Sequence, residues 1–383
     1  MQCLTQSNLL ALWSSHSQKV LLFRLSPAEE LPRESGMTTT HKTATVAVTR
    51  RLAPFCLSGA RTLLHYLHNL MAEVSHVPQT EDRECVHRVR VASRRLRSFL
   101  PLFALCLSRK TCDRWSKQLR RLTRALGEAR DLDVQITCVE HVLAQQASPE
   151  ERPGLERLRL RLQQRRHMLR EPVGQAIERF TASQLAEEME QTLMHLVYVS
   201  QASGADIPGP YVYRKIRKSV RARLKVFQMY APYVEHAECS DELHAMRIAA
   251  KHLRYILQAC TPFYLDAVQE PARTARTFQT LLGDIHDCDV WAHDLPQFLE
   301  EECQRTLVYF GHLEPFAPLV PGIVALQQNR QHYRMQRYQE FVTFWHQVQE
   351  QGIWDQLEQR LDAAVENTEK AVTAAMEGTP IAF

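Results

Sequence analysis

Three features of the 383-residue sequence predict an all-α fold. Glycine is scarce, at 12 residues, and Leu, Arg, Gln, Ala and Glu, all good helix formers, dominate. Apolar residues recur at helical rather than strand spacing: Val86, Val89, Leu96, Phe99, Leu100 and Phe103 in one stretch, Leu243, Met246, Leu253, Ile256 and Leu257 in another. A hydrophobic content of 45% is enough to build a sizeable core around such faces.

Periodicity and chain breaks place the elements. Helices are predicted at 55–75, 84–106, 110–128, 131–147 and 154–200, the last interrupted near Pro172-Val173-Gly174. A second run follows at 211–230, 241–261, 267–284, 287–303 and 323–350, and a final acidic amphipathic helix runs from Trp354 to Met376. Ser148-Pro149, Pro153-Gly154, the stretch from Ser203-Gly204 to Pro208-Gly209-Pro210, and Pro315 to Pro321-Gly322 separate them. Residues 1–52 are rich in Ser and Thr without helical period, and Met37 offers a second start. They are expected to be an extension, either disordered or upstream of the true start. The remaining chain divides into 53–206, 207–352 and a tail at 353–383.

The two middle blocks repeat each other. His87, Arg90, Arg94 and Arg97 form a basic comb at i, i+3, i+7, i+10, which puts all four on one sector of a helix. An offset of 157 superposes it on His244, Arg247, Lys251 and Arg254, and also Arg61 and His68 on Lys218 and Lys225. An offset of 156 superposes Leu126-Gly127-Glu128-Ala129-Arg130-Asp131-Leu132-Asp133-Val134 on Leu282-Gly283-Asp284-Ile285-His286-Asp287-Cys288-Asp289-Val290, with Lys117 on Arg273 and Arg120 on Arg276. Two antiparallel four-helix bundles related by duplication, with an extra terminal helix, are the expected architecture.

The net charge of +4 hides a strong partition. Val86–Arg130 holds 13 Lys/Arg against 2 Asp/Glu, whereas residues 300–383 hold 6 against 12. Neither Val86–Ser108 nor Leu243–Leu265 contains a carboxylate, and none occurs between Tyr211 and Tyr233, where Arg214, Arg217, Lys218, Arg221 and Lys225 share a helix face. Lys117, Arg120, Arg121 and Arg124 give the first block a similar row. A solvated helix face normally interleaves opposite charges at i, i+4. Rows of like charge gathered in one bundle therefore point to a polyanionic ligand; the alternative is pairing with Glu300–Glu302 or the acidic tail. Only Tyr255 is aromatic on the comb faces, and Asn and Gln base readers are absent. A base-free phosphate chain fits Arg, Lys and His donors better than DNA or RNA.

The duplicated comb and the Leu-Gly-x-x-(Arg/His)-Asp-x-Asp-Val segment resemble the CHAD family, the conserved-histidine α-helical domain, over residues 53–350. The resemblance implies two helical bundles about a pseudo-twofold axis, and between them a basic channel that binds inorganic polyphosphate. It also implies association with polyphosphate granules and their proteins, and no catalysis. By motif position the channel would be lined by His87, Arg90, Arg94, Arg97, His244, Arg247, Lys251 and Arg254. Lys117, Arg120, Arg273 and Arg276 come next, with Arg214, Lys218, Arg221 and Lys225 from the helix before the second comb. The corresponding first-half helix offers only Arg61, His65 and His68, which implies an asymmetric channel.

Other chemistries fit less well. No Gly-x-x-x-x-Gly-Lys-(Ser/Thr) occurs. Glu188-Met189-Glu190 lacks the lysine of the E-x-E-x-K strand of triphosphate-tunnel domains. His286-Asp287, with Asp289, His244 and His252, suggests a metal-dependent phosphohydrolase, but Arg130 stands where the first half would need the histidine. The pairs Asp131/Asp133 and Asp287/Asp289 are better read as helix N-caps and as carboxylates orienting the arginines. No metal or cofactor is expected. The ten cysteines, without close pairs or a basic signal-peptide start, are expected to be reduced thiols of a cytoplasmic protein. No apolar run is long enough to span a membrane. A backbone-binding RNA or DNA module is the second reading.

Overall fold

Helices and short 3-10 turns build the computed structural model, which describes residues 40–76, 83–145, 147–203 and 208–377; none of the described residues lies in a strand. The predicted extension lies outside them up to residue 39. Eleven helices follow in order among the described residues: α1 Thr40–His76, α2 Arg83–Phe99, α3 Arg109–Ala125, α4 Gly127–Gln145, α5 Arg152–Met168, α6 Arg170–Ala182, α7 Leu185–Ala202, α8 Pro210–Gln228, α9 Ser240–Phe310, α10 Val320–Glu350 and α11 Ile353–Glu377. The body described below begins at Ala47.

Local chemistry accounts for most boundaries. Ser108 caps α3, its hydroxyl accepting from the Thr111 N–H at 3.1 Å. Pro153, Pro210 and Pro321 sit in the first turns of α5, α8 and α10, where a missing N–H costs nothing. The predicted 154–200 helix is three helices. It breaks at Leu169 and at Ser183-Gln184, where Gln184 takes a left-handed conformation (φ 51°), and Pro172 is harmless in the first turn of α6. Gly154 and Gly322, expected only as breaks, mark a close crossing of α5 and α10. A Cβ on Gly154 would meet the Leu319 carbonyl oxygen at 2.1 Å, and one on Gly322 the Glu151 oxygen at 2.0 Å.

Three predicted helices, at 241–261, 267–284 and 287–303, form the single assigned helix α9, which carries Pro262, Pro271 and Pro296. It is not straight. The His244 and His286 rings are 4.0 Å apart, and Arg254 Nη1 donates to Gln279 Oε1 at 3.1 Å. A straight helix would hold residues 244 and 286 roughly 63 Å apart. The chain therefore doubles back near residue 265, where Tyr264 donates its hydroxyl proton to the Tyr213 carbonyl at 3.2 Å. In the first half the same succession is α2, a 3-10 turn at Leu102–Leu105, and α3. Each comb lies on the first arm of a helical hairpin.

One main core joins the predicted halves, running from Leu52 through Trp115, Met189, Phe227 and Phe278 to Leu361. A second packs α4 and α5 (Ile136, Val139, Leu158) on the end of α9 and the start of α10 (Trp291, Leu295, Ile323). That interface also buries Glu302, 0% exposed, which accepts from Arg157 (3.1 Å), Arg161 (2.6 Å) and Arg305 (2.6 Å). The acidic 300–302 segment thus engages α5, not the combs.

The cysteine expectation needs correcting in one place. Cys56 on α1 and Cys106 after the 3-10 turn form a disulfide across 50 residues; Cys112, Cys138, Cys239, Cys260, Cys288 and Cys303 are free thiols. Wide spacing in sequence hid a pair that the α2 turn brings against α1.

Removing one member of a buried ion cluster leaves the others uncompensated. Glu302→Ala is expected to destabilise the protein by about 3–5 kcal/mol in urea unfolding, and Glu301→Ala, at the exposed edge, by under about 1 kcal/mol.

Candidate functional site: two basic combs facing one cavity

All eight comb side chains are half-buried. The apolar residues between them, among them Val86, Val89, Leu96, Met246 and Leu253, are buried and fix the angular position of each row. The rows meet at a cavity of about 400 Å³. His87, Arg90 and Arg94 line it from α2, Arg247 from the first arm of α9, and Arg130, Asp131, His286 and Asp287 from the motif segments. Lys251 feels Arg94, Arg97, Arg90 and Arg247 together, so both rows converge on it. Arg97 adjoins Arg120, and Arg254 adjoins Arg276.

The recurring glycine has a spatial meaning. A Cβ on Gly127 would lie 3.3 Å from Arg90 Nη1, and one on Gly283 3.5 Å from Arg247 Nε. The motif helix thus passes directly beneath the second tooth of each comb. Counting +3, +4, +7 and +8 from each glycine gives Arg130, Asp131, Val134 and Gln135, and His286, Asp287, Val290 and Trp291. All eight line the cavity. Sequence reading singled out the aspartates but not this stripe, although helical counting from the glycine would have found it.

The two aspartates of each motif divide their work. The second is a bolt: buried Asp133 accepts from Arg166 of α5 at 2.8 Å, and Asp289 from Arg334 of α10 at 2.6 Å. The first faces the cavity: Asp131 is 3.8 Å from Arg90 Nη2. Burial raises its carboxyl, while Arg90, Arg247 and Arg130 act the other way. Asp287 is raised by burial too, and it senses Asp131. The N-cap reading fails, because α4 begins at Gly127 and α9 runs through residue 287.

Little else neutralises the combs. Among the described residues no carboxylate lies within ion-pair distance of Arg94, Arg97, Arg247, Lys251 or Arg254. The buried Nε atoms of Arg94, Arg247 and Arg254 and Nδ1 of His244 have no hydrogen-bond partner. Burial, then the surrounding guanidiniums, push the Lys251 ammonium down to about 8. Burial also lowers His87, assisted by Arg130, and His244, assisted by Arg247 and Lys251. His286 is pushed down to about 4 by burial and by His244.

Other predicted site residues separate. Lys117, Arg124 and Arg273 are exposed on α3 and α9, outside the cavity lining. Arg121 lines a groove between α3 and α6 beside Arg179, away from the combs. The α8 row does not reach the cavity: Arg214 and Arg221 are held by α11, and Lys218 and Lys225 are exposed elsewhere on α8. Helical spacing places residues on a face but does not say which neighbour the face meets. Asp289 is taken by Arg334, and no three His, Cys, Asp or Glu side chains among the described residues are grouped to hold a metal.

With this geometry, the chain matches the family model of the CHAD domain over residues 61–296. The chain belongs to the CHAD family. Its matched region contains both combs and both aspartate motifs. Among solved structures, the CHAD domain from the plant Ricinus communis is similar at 21% identity, covering 72% of this chain and 91% of that one, with a TM-score of 0.49. No curated protein matches. No helix of the described part of this CHAD protein is long and apolar enough to cross a membrane.

A charged lysine crowded by four guanidiniums opposes folding. Lys251→Met is expected to raise the melting temperature of the unliganded protein at pH 7, by roughly 2–4 °C per kcal/mol regained. The depressed pKa sets the sign: the penalty is full below pH 8 and disappears between 8 and the unfolded value of 10.5. The gain measured by thermal unfolding should shrink over that window.

Proposed function

We propose that this CHAD protein binds inorganic polyphosphate in the cavity between two related helical halves, without catalysis, as a cytoplasmic protein of polyphosphate granules. One observation carries the reading: two half-buried rows of Arg and Lys in which, among the described residues, only Arg90 has a carboxylate partner and the Nε atoms of Arg94, Arg247 and Arg254 lack an acceptor. A linear phosphate chain supplies closely spaced acceptors for those donors and charge against their mutual repulsion. Asp133 and Asp289 serve as structural bolts in this reading, tied up by Arg166 and Arg334. Granule association and the recruitment of granule proteins follow from the polymer rather than from any further surface.

A nucleic-acid backbone is the competing ligand. Tyr255, the aromatic residue on the comb faces, is 3% exposed and covered by Arg254, so it offers no platform for base stacking. Titration with long-chain polyphosphate beside single-stranded RNA at equal phosphate concentration tests the ranking. Polyphosphate should bind with a dissociation constant that rises roughly 10³–10⁵-fold between 50 and 200 mM salt, if 6–10 contacts form as they do on nucleic acids. RNA displacing the bound polymer at equal phosphate would overturn the assignment.

Hydrogen bonds to charged groups contribute ~1.5–3 kcal/mol each. Arg94→Glu with Lys251→Glu should therefore weaken binding by roughly 10²–10⁴-fold while the melting temperature is kept or raised. Unfolding of that variant would instead mark the combs as structural.

Bound phosphate raises the pKa of Lys251, so its contribution to affinity is constant below pH 8 and falls above it, by about tenfold between pH 7 and 9. Lys251→Arg should flatten that limb. The histidines act in the same sense at lower pH: binding tightens as they protonate, and their depressed free-state values place this below 6.5. Equal dissociation constants at pH 7 and 9 would remove Lys251 from the contacts.

A further inference from the structure

The arginines of α8 are already bound to a row of anions. Arg214 Nη1 is 2.8 Å from Glu369, Arg217 Nη1 2.8 Å from Asp362, and Arg221 Nη2 2.8 Å from Asp362 and 3.5 Å from Glu358. Partner numbers fall as α8 numbers rise, so the helices run antiparallel. Glu358, Asp362, Glu366 and Glu369 lie at i, i+4, i+8 and i+11, one stripe of α11. α11 thus presents a line of carboxylates to a line of guanidiniums, in the way an extended polyanion would.

α11 is anchored unevenly. Ile353, Trp354, Leu357, Leu361 and Val365 are buried against the core, and the apolar hold ends there. From Glu366 to Ala374 the helix is largely exposed, with Val372 42% accessible. Its ion pair to α8 in that stretch joins Glu369 and Arg214, whose side chains are 43% and 52% exposed. Exposed pairs of this kind contribute little individually and weaken with salt. Lys218 and Lys225 continue the α8 row, exposed and with no ion pair among the described residues.

We propose that the α8 row is a second polyphosphate site whose resident occupant is the carboxylate stripe of α11, and that a long phosphate chain displaces the end of α11 to reach it. The proposal rests on the reading that this protein binds polyphosphate at the combs. A short phosphate occupies the comb cavity alone, and a long one engages both sites and competes with the tail. The tail would then set a threshold of chain length.

The full chain is compared with Glu358→Gln/Asp362→Asn/Glu369→Gln, using tripolyphosphate and long-chain polyphosphate as probes. Freeing three arginines should tighten long-chain binding at least roughly tenfold and steepen its salt dependence by about 2–3 in log–log slope, while tripolyphosphate binding stays unchanged. Hydrogen exchange of the unaltered protein supplies a measurement independent of the variant's folding: amides of 366–374 should lose protection with the long polymer and keep it with tripolyphosphate. Identical long-chain affinity and slope in variant and parent, or unchanged protection at saturating polymer, would overturn the second site while leaving the combs as the binding site. If tripolyphosphate and the long polymer both fail to bind, the comb reading falls and the second site with it. If Arg94→Glu with Lys251→Glu keeps full long-chain affinity, the comb reading fails while the exchange result still decides the α8 site.

Discussion

Repulsion between two facing rows of cations is the constraint around which this molecule is organised. Burial and then neighbouring cations, Arg94 among them, lower Arg90 and Arg97 on α2 and Lys251 and Arg254 on α9. Nothing in the rows favours their approach, so it must be imposed from behind. Each row rides on a helix whose opposite face is sunk in the main core, and burial of Leu96, Phe99, Leu253 and Leu257 outweighs the electrostatic cost. A polar alternative was open at every comb position, since interleaved glutamates would have cancelled the strain. Their absence leaves the rows uncompensated at the expense of stability.

The bolts outside the cavity serve the same end. Asp133–Arg166 and Asp289–Arg334 tie each motif helix to the helix behind it, and Glu302 gathers Arg157, Arg161 and Arg305 where α5 meets α9. These are ion pairs with few degrees of freedom, set where the walls of the cavity would otherwise spread. Carboxylates are thus plentiful a few ångströms behind the walls and nearly excluded from the surface between them. Asp131 and Asp287 are the exceptions: burial raises both carboxyls, and the guanidiniums they face only partly oppose it.

Much of this was legible in the sequence because it depends on helical spacing alone. The comb faces, the all-α class and the boundary chemistry at Ser108, Pro153, Pro210 and Pro321 all follow from residues near one another in the chain. What was not legible depends on where separate faces meet. The α8 row looked equivalent to the combs, since its spacing and lack of carboxylates are the same. Only the antiparallel approach of α11 distinguishes it. The Cys56–Cys106 pair was hidden for the same reason. The gap between the helices predicted at 241–261 and 267–284 falls where α9 reverses near residue 265, although the chain stays helical through it. Gly127 and Gly283 lie between the two cases: their recurrence was visible, and their purpose needed Arg90 and Arg247 above them.

The two walls of the cavity are alike in plan and different in titration. Arg94 and Arg130 line the cavity from the first half, and the second half carries at the matching positions Lys251 and His286, pushed down by burial and then by neighbouring charge to about 8 and about 4. At pH 7 Lys251 still carries most of its charge, so the crowding at the centre of the combs persists there, while His286 adds none. Lys251 aligns with Arg94 and His286 with Arg130, so the two halves share one helical plan while the second carries, at both positions, a side chain whose charge depends on its surroundings.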